Sequence, residues 1–310
     1  MGPTASDTAI PAGYAAARES LAHRLRPAGI LDVTGADRET FLQGQLTQDI
    51  RDLAPGESRP AAGLTPKGKL LFVARVVGLE EGLRLVVPET LRQRVLDHVR
   101  KYAVFSKVAV EDRSADLLRV GLYGREAPGL SLPGGLDRLP GEGEFSCDLL
   151  VPAGRRDDLE THLSAAGSVA VSADAAEVLR VEAGRPRYGT DMDDSNLPDE
   201  VGMNDAISTT KGCYVGQEVV ARLRTYGRVN RRLVLFRFPE GSIGAASVLG
   251  RPGEETPART EAGRVTSSVV SPRLGPIGLG YAFRDVASGA RLVSVASPGL
   301  SAIVSDRPAA

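Results

Sequence analysis

The spacing of apolar residues changes several times along the chain, and each change marks an element. Apolar positions from Tyr14 to Leu25 recur at helical intervals and predict a helix there. Ile30–Val33 reads as a short strand. Thr34-Gly35-Ala36-Asp37 has the form of a capping box and opens a helix through Leu46, with Phe41, Leu42 and Leu46 on its core face. A turn at Leu64–Lys69 leads into a strand at Leu70–Val77. Glu80-Glu81-Gly82 turns the chain back into Leu83–Val87. Pro88 starts a helix over Glu89–Lys101, with Leu91, Val95, Leu96 and Val99 on one side, and Lys107–Glu111 is strand-like. Strand, hairpin, helix and strand in that order predict a small α+β layer of ferredoxin-like character.

Residues 114–170 repeat the style more weakly. Leu117–Leu122 and Glu144–Val151 read as strands around the Gly/Pro-rich loop Gly129–Gly143, and Gly154–Ala166 as a helix. Asp174 and Glu177 cap a helix that runs to Ala183 and is closed by Gly184. Another helix covers Gln217–Tyr226, with Val219, Val220 and Leu223 as its apolar stripe and Gly227 as its stop. From Arg231 onward short strands alternate with Gly/Pro turns (233–238, 263–270, 278–283, 292–296), the pattern of a small antiparallel barrel. The chain therefore divides into a flexible tail at 1–13, an α+β region at 14–230 and a barrel at 231–310. Within the α+β region two subdomains interleave, 14–54 with 114–230, and 55–113.

Composition narrows the function. The chain has 310 residues, 42% of them hydrophobic, and a net charge of −1. That balance argues against a dedicated nucleic-acid binder. No apolar run reaches the roughly 18 residues of a membrane span, and residues 1–13 lack a secretory pattern. The two cysteines, Cys147 and Cys213, stand 66 positions apart without a CxxC partner. This fits a reducing, cytoplasmic setting. With only His23, His98 and His162 beside them, a protein-built zinc or iron–sulfur site is not expected.

Cys213 carries the strongest chemical signal. It stands in Ser-Thr-Thr-Lys-Gly-Cys-Tyr-Val-Gly-Gln-Glu, residues 208–218, just ahead of a helix start and two positions from Lys211. Helix-end N–H groups and a nearby ammonium both favour a thiolate. Gly212 and Gly216 permit a tight turn or close approach. The plain alternative is a small buried hydrophobe.

Lys-Gly-Cys-Tyr-Val-Gly-Gln-Glu resembles the signature of the YgfZ family, folate-binding proteins that assist maturation or repair of iron–sulfur enzymes. That family shares its fold with the glycine-cleavage T-protein, a tetrahydrofolate-dependent aminomethyltransferase. Two further blocks resemble the same families: Arg180–Asp194, which contains Glu182, Tyr188 and an acidic loop, and Asp37–Asp49, where Gln45 and Thr47 are candidates to line a cavity. The resemblance implies an aminomethyltransferase-type α+β fold, with two interleaved ferredoxin-like domains and a C-terminal barrel around a central cavity. It implies non-covalent tetrahydrofolate, with Glu182 on the pterin edge and Arg222, Tyr188, Phe72 and Gln217 among the contacts. Cys213 and Lys211 become the catalytic pair, the thiolate acting as nucleophile or transient ligand. Client iron–sulfur enzymes, some of them tRNA-modifying, become the partners.

One departure bears on activity. The T-protein's acidic pair falls at about Phe72 and Val73, which cannot accept a proton, so aminomethyl transfer by that mechanism is expected to be lost. The readings left open are a folate-dependent transferase with another base and a non-catalytic docking module. Arg222, Arg224, Arg228, Arg231 and Arg232 read either as a solvated face or as a site for folate carboxylates, with RNA phosphate a weaker option. The acidic loop Asp191, Asp193, Asp194, Asp199 and Glu200 lacks the pattern of an EF-hand and reads as solvated.

Overall fold

A computed structural model of the chain describes residues 10–134, 136–140, 145–253 and 261–307. The elements in order are α1 (Tyr14–Glu19), β1 (Ala22–Arg26), β2 (Ala28–Thr34), α2 (Arg38–Gln45), β3 (Ser58–Leu64), β4 (Leu70–Leu79), β5 (Gly82–Pro88), α3 (Arg92–Tyr102), β6 (Ala109–Asp112), β7 (Leu117–Tyr123), β8 (Asp137–Pro140), β9 (Phe145–Pro152), α4 (Arg156–Ala165), β10 (Val169–Ala170), α5 (Ala173–Glu182), α6 (Pro198–Val201) and α7 (Gln217–Tyr226). Six strands follow: β11 (Arg231–Arg237), β12 (Val248–Gly250), β13 (Glu261–Ser271), β14 (Gly275–Phe283), β15 (Arg291–Ser294) and β16 (Ser301–Ser305).

Two five-stranded sheets and one closed barrel organise these elements. The first sheet runs β10-β1-β7-β9-β8, the second β3-β4-β5-β2-β6, and the barrel β11-β14-β13-β12-β15-β16. The α+β class with a C-terminal antiparallel barrel is thus the observed architecture. β1 and β2 are consecutive, yet they belong to different sheets: β1 pairs with β7 and β10, whereas β2 pairs with β5 and β6. Sheet partnership changes at Pro27, not after residue 54. Pro cannot donate a ladder hydrogen bond, which suits a changeover.

The predicted first helix is cut short for the same reason. It ends at Glu19, and Ala22–Arg26 is strand, because its backbone groups bond to strands distant in sequence. Tertiary pairing overrides local spacing here. The capping box at Thr34 also departs from expectation. Asp37 is the N-cap without a side-chain cap bond, and its carboxylate accepts from the Lys107 backbone N–H at 2.7 Å, tying α2 to the start of β6. Ser172, not Asp174, caps α5, accepting from Ala175 N–H at 3.1 Å. The expected tail at 1–13 lies largely outside the described residues, as does Glu144 at the start of the expected strand.

Apolar packing joins the units. α2 and α3 cover the second sheet through Leu42, Leu46, Val95, Leu96 and Val99. Ile30, Val77 and Val86 meet Leu139 and Leu150 of the first sheet. The barrel docks on α5 through Val181 against Leu235, Ile277 and Leu279. At the centre, Ala62, Leu64, Leu70, Met192, Val201, Tyr214, Val220, Leu233 and Tyr281 form one cluster drawn from the second sheet, the 188–220 segment and the barrel.

Candidate functional site

The segment between α6 and α7 is stitched to the end of α2 and, through Thr47, to Ala62 of β3. Ser208 N–H donates to Thr47 C=O at 3.0 Å, and Val215 N–H donates to Gly44 C=O at 3.1 Å. Thr47, fully buried, donates its hydroxyl to Ala206 C=O at 2.6 Å and accepts from Ala62 N–H at 2.9 Å. Lys211 Nζ donates to the carbonyls of Gln43 and Leu46 at 2.7 Å and of Gln48 at 2.8 Å. These groups lie at the C-terminal end of α2, where carbonyls lack helical partners and a cation is favoured. Burial pushes the Lys211 ammonium down to about 8.

Cys213 is exposed, and its thiol makes no hydrogen bond among the described residues. Lys211, 5% exposed on one side of it, and Tyr214, 9% exposed on the other, are both buried. The Lys211 ammonium stands 5.2 Å from the centre of the Tyr214 ring. α7 begins at Gln217 with Gly216 as N-cap at φ +84°, and a Cβ there would lie 2.6 Å from Thr65 C=O. Gly68 of the β3–β4 turn packs as closely against Val219. Glycine at these two positions lets α7 seat on the hairpin, with Cys213 standing ahead of it. Gly227 ends α7 in an extended conformation, φ −113°, and not as a left-handed cap.

The remaining expected site residues are dispersed. Phe72 is 1% exposed in the core of the second sheet, its ring edge-on to His98 at 5.5 Å and packed under Gly63. It is closed to a ligand, because on β4 the even-numbered positions from 70 to 74 face inward and Leu71 and Val73 face the other way. Tyr188 is half-buried. Its hydroxyl donates to Leu71 C=O at 3.2 Å and accepts from Arg94 at 3.0 Å. Gln217 is half-buried at the first turn of α7. Arg222 is exposed, makes no ion pair among the described residues, and lines a hollow of about 470 Å³ with Glu218, Val219, Leu223, Tyr226 and Gly227.

Glu182 occupies a different place. Its carboxylate is fully buried and accepts from Tyr14 O–H at 2.6 Å, from Arg18 at 3.0 Å and from Ser271 O–H, with Arg273 at 3.7 Å. It joins α1, α5 and β13, and both its oxygens are engaged within the protein. Two residues of the acidic loop are likewise interior, contrary to the solvated reading. Asp191 accepts from Arg180 at 2.6 Å, Thr266 at 2.5 Å and Ser267 at 2.7 Å. Glu200, 7% exposed, pairs with Arg231 at 3.2 Å. Of the arginine cluster, Arg224 pairs with Asp199 and Arg232 bonds to Val286 C=O. Among the described residues no group of three or more His, Cys, Asp or Glu side chains is arranged to hold a metal ion.

The sequence reading missed the clamp on Lys211 and the roles of Thr47 and Tyr214. The only local hint was that Thr47 and Tyr214 lie within motifs already singled out.

No protein-family model matches the chain. The tRNA-modifying protein YgfZ of Edwardsiella ictaluri is 32% identical over 231 residues, covering 66% of this chain and 67% of that protein. An aminomethyltransferase of Rubrobacter xylanophilus is 29% identical over 306 residues, covering 88% of this chain and 80% of that protein. Among solved structures, aminomethyltransferase T of the glycine cleavage system from Bartonella henselae superposes with a TM-score of 0.83, covering 94% of this chain and 87% of that one at 20% identity. That likeness establishes the fold, and the identity to the Edwardsiella protein over two thirds of its length, together with Lys-Gly-Cys-Tyr-Val-Gly-Gln-Glu at residues 211–218, places the chain in the YgfZ family.

Proposed function

We propose that this protein is a tetrahydrofolate-binding YgfZ protein of the cytoplasm that supports assembly or repair of iron–sulfur enzymes, with Cys213 as its reacting group. The observation that carries the reading is the placement of Cys213: an exposed thiol on a loop pinned on both sides by buried anchors. An exposed, unpaired thiol can meet a group that a partner brings to it, whereas the buried Cys147 cannot. Client enzymes of the tRNA-modifying class are the partners this reading favours.

The residues fit one end of a folate and not the other. Arg222 is free to hold a glutamate carboxylate in a two-pronged bond, beside the 90% exposed Tyr226 ring. The pterin edge has no such provision at Glu182, whose acceptors are already bonded, or at Phe72, which is core. Phe72 and Val73 at the acidic positions of the T-protein support the loss of aminomethyl transfer.

The test is complementation of a strain lacking the protein, read out as activity of an iron–sulfur tRNA-modifying enzyme. Cys213→Ala is expected to abolish support while leaving the thermal midpoint unchanged, since the side chain is exposed. Full activity of that variant would refute the thiol role. In an anaerobic tetrahydrofolate titration, Arg222→Ala is expected to weaken binding. Unchanged binding would remove Arg222 from the site.

A docking role is favoured by one separate observation. Tyr102 at the end of α3 and Val104 and Phe105 in the turn after it are 51, 70 and 100% exposed, an apolar patch of the kind that marks interaction surfaces. Under a pure docking reading, Phe105→Asp would abolish support and Cys213→Ala would not.

A further inference from the structure

We propose that Lys211 is a positioning residue, whose ammonium pins the 208–216 loop to the end of α2 and thereby fixes where the Cys213 thiol stands. This rests on the reading of Cys213 as the reacting group. A lysine two positions from a cysteine ordinarily invites the opposite assignment, an electrostatic activator of the thiol. The geometry argues against that. The Lys211 side chain points inward, and its three N–H protons match three carbonyl acceptors, those of Gln43, Leu46 and Gln48. Cys213 is exposed, outside that cage. The other groups bearing on the ammonium are the Tyr214 ring and the charges of Asp49 and Arg51.

The clamp serves both partners. It satisfies carbonyls that α2 leaves open at its end, and it gives a buried cation the hydrogen bonds that burial requires. It also acts with the backbone bonds from Ser208 to Thr47 and from Val215 to Gly44, so the loop is held on each side of Cys213. A tetrahedral ammonium directs its three protons from one nitrogen to oxygens converging on one point, whereas the guanidinium of arginine is bulkier and spreads its N–H groups over a plane. Lysine is required for its shape as well as its charge, and this separates the two assignments experimentally.

A nitroxide attached to Cys213 reports the motion of the loop directly, with Cys147 left unlabelled because it is 3% exposed. In the intact protein the label is expected to be restricted. Both Lys211→Met and Lys211→Arg are expected to free it, and to speed amide exchange across residues 208–216 by about tenfold, the loss of a charged hydrogen bond. The pH midpoint of Cys213 alkylation is expected to stay where it is in both variants. A label equally restricted in both variants, with unchanged exchange, would overturn the proposal. So would a midpoint that rises in Lys211→Met but not in Lys211→Arg while the label stays restricted, since charge alone would then matter. If Lys211→Met does not fold, the arginine variant carries the test by itself. None of these readouts uses folate or a client enzyme, so they can fail independently of Cys213→Ala in complementation.

Discussion

Single side chains in this protein divide by what burial demands of them. Lys211 reads in the sequence as a catalytic group and Glu182 as a cofactor contact, and both are interior groups bonded by the fold. Replacing Glu182 with Ala leaves Tyr14 and Ser271 without their buried acceptor and removes one partner of Arg18. The expected loss is about 3 kcal/mol, moderated by the partial exposure of Arg18, and is measured by denaturant unfolding. Lys211 gives a pH dependence whose sign follows from its shift. Its folded value of about 8 lies below the unfolded value of 10.5. Between those pH values the unfolded chain holds more protons on this group, so its contribution to stability rises with pH. Below pH 8 both states are protonated and the folded state bears the full cost of the buried cation. Stability of the intact protein relative to Lys211→Met is expected to rise by at most about 3 kcal/mol across that window, the carbonyl bonds opposing the shift.

At the scale of elements, the segment that carries the thiol is placed by contacts between backbones. α7 can lie against the β3–β4 turn only because Gly216 and Gly68 have no side chain. Gly216→Ala puts a Cβ into Thr65 C=O at a left-handed φ. It is expected to cost more than about 1 kcal/mol and to loosen the 208–216 loop, which exchange at those amides would detect. α7 itself was legible from its apolar stripe, Val219, Val220 and Leu223, and runs from Gln217 to Tyr226 as that stripe predicts. β1 was not legible. Its residues fit a helix by spacing, and only pairing with β7 makes them a strand. β3 was missed because Pro60 and Gly63 mask its strand character.

Across the whole molecule, ionic and polar groups join the barrel to the α+β part. Arg180 on α5 reaches Asp191 and Ser267, and Tyr281 of β14 donates to Asp191 C=O at 2.7 Å. Asp191→Ala removes one of the two carboxylates on Arg180, which keeps Glu177, and takes the acceptor from Thr266 and Ser267. It is expected to cost about 2–3 kcal/mol and to detach the barrel first, visible as loss of amide protection in β13 and β14 before the second sheet is affected.

The sequence by itself determined the class of fold and the barrel, and it singled out the Cys213 segment, because periodicity and short motifs are local properties. It also has Phe72 and Val73 at about the positions where the resemblance to the T-protein would put an acidic pair. The tertiary structure alone decided which polar residues remain available to a ligand. Glu182, Asp191 and Lys211 carry charges that a linear reading assigns to solvent or to a site. Their partners, Tyr14, Ser267 and the end of α2, lie far away in sequence, and a buried charge is tolerated only where such partners converge. Exposure and pairing are set by that convergence, which no local pattern of residues records.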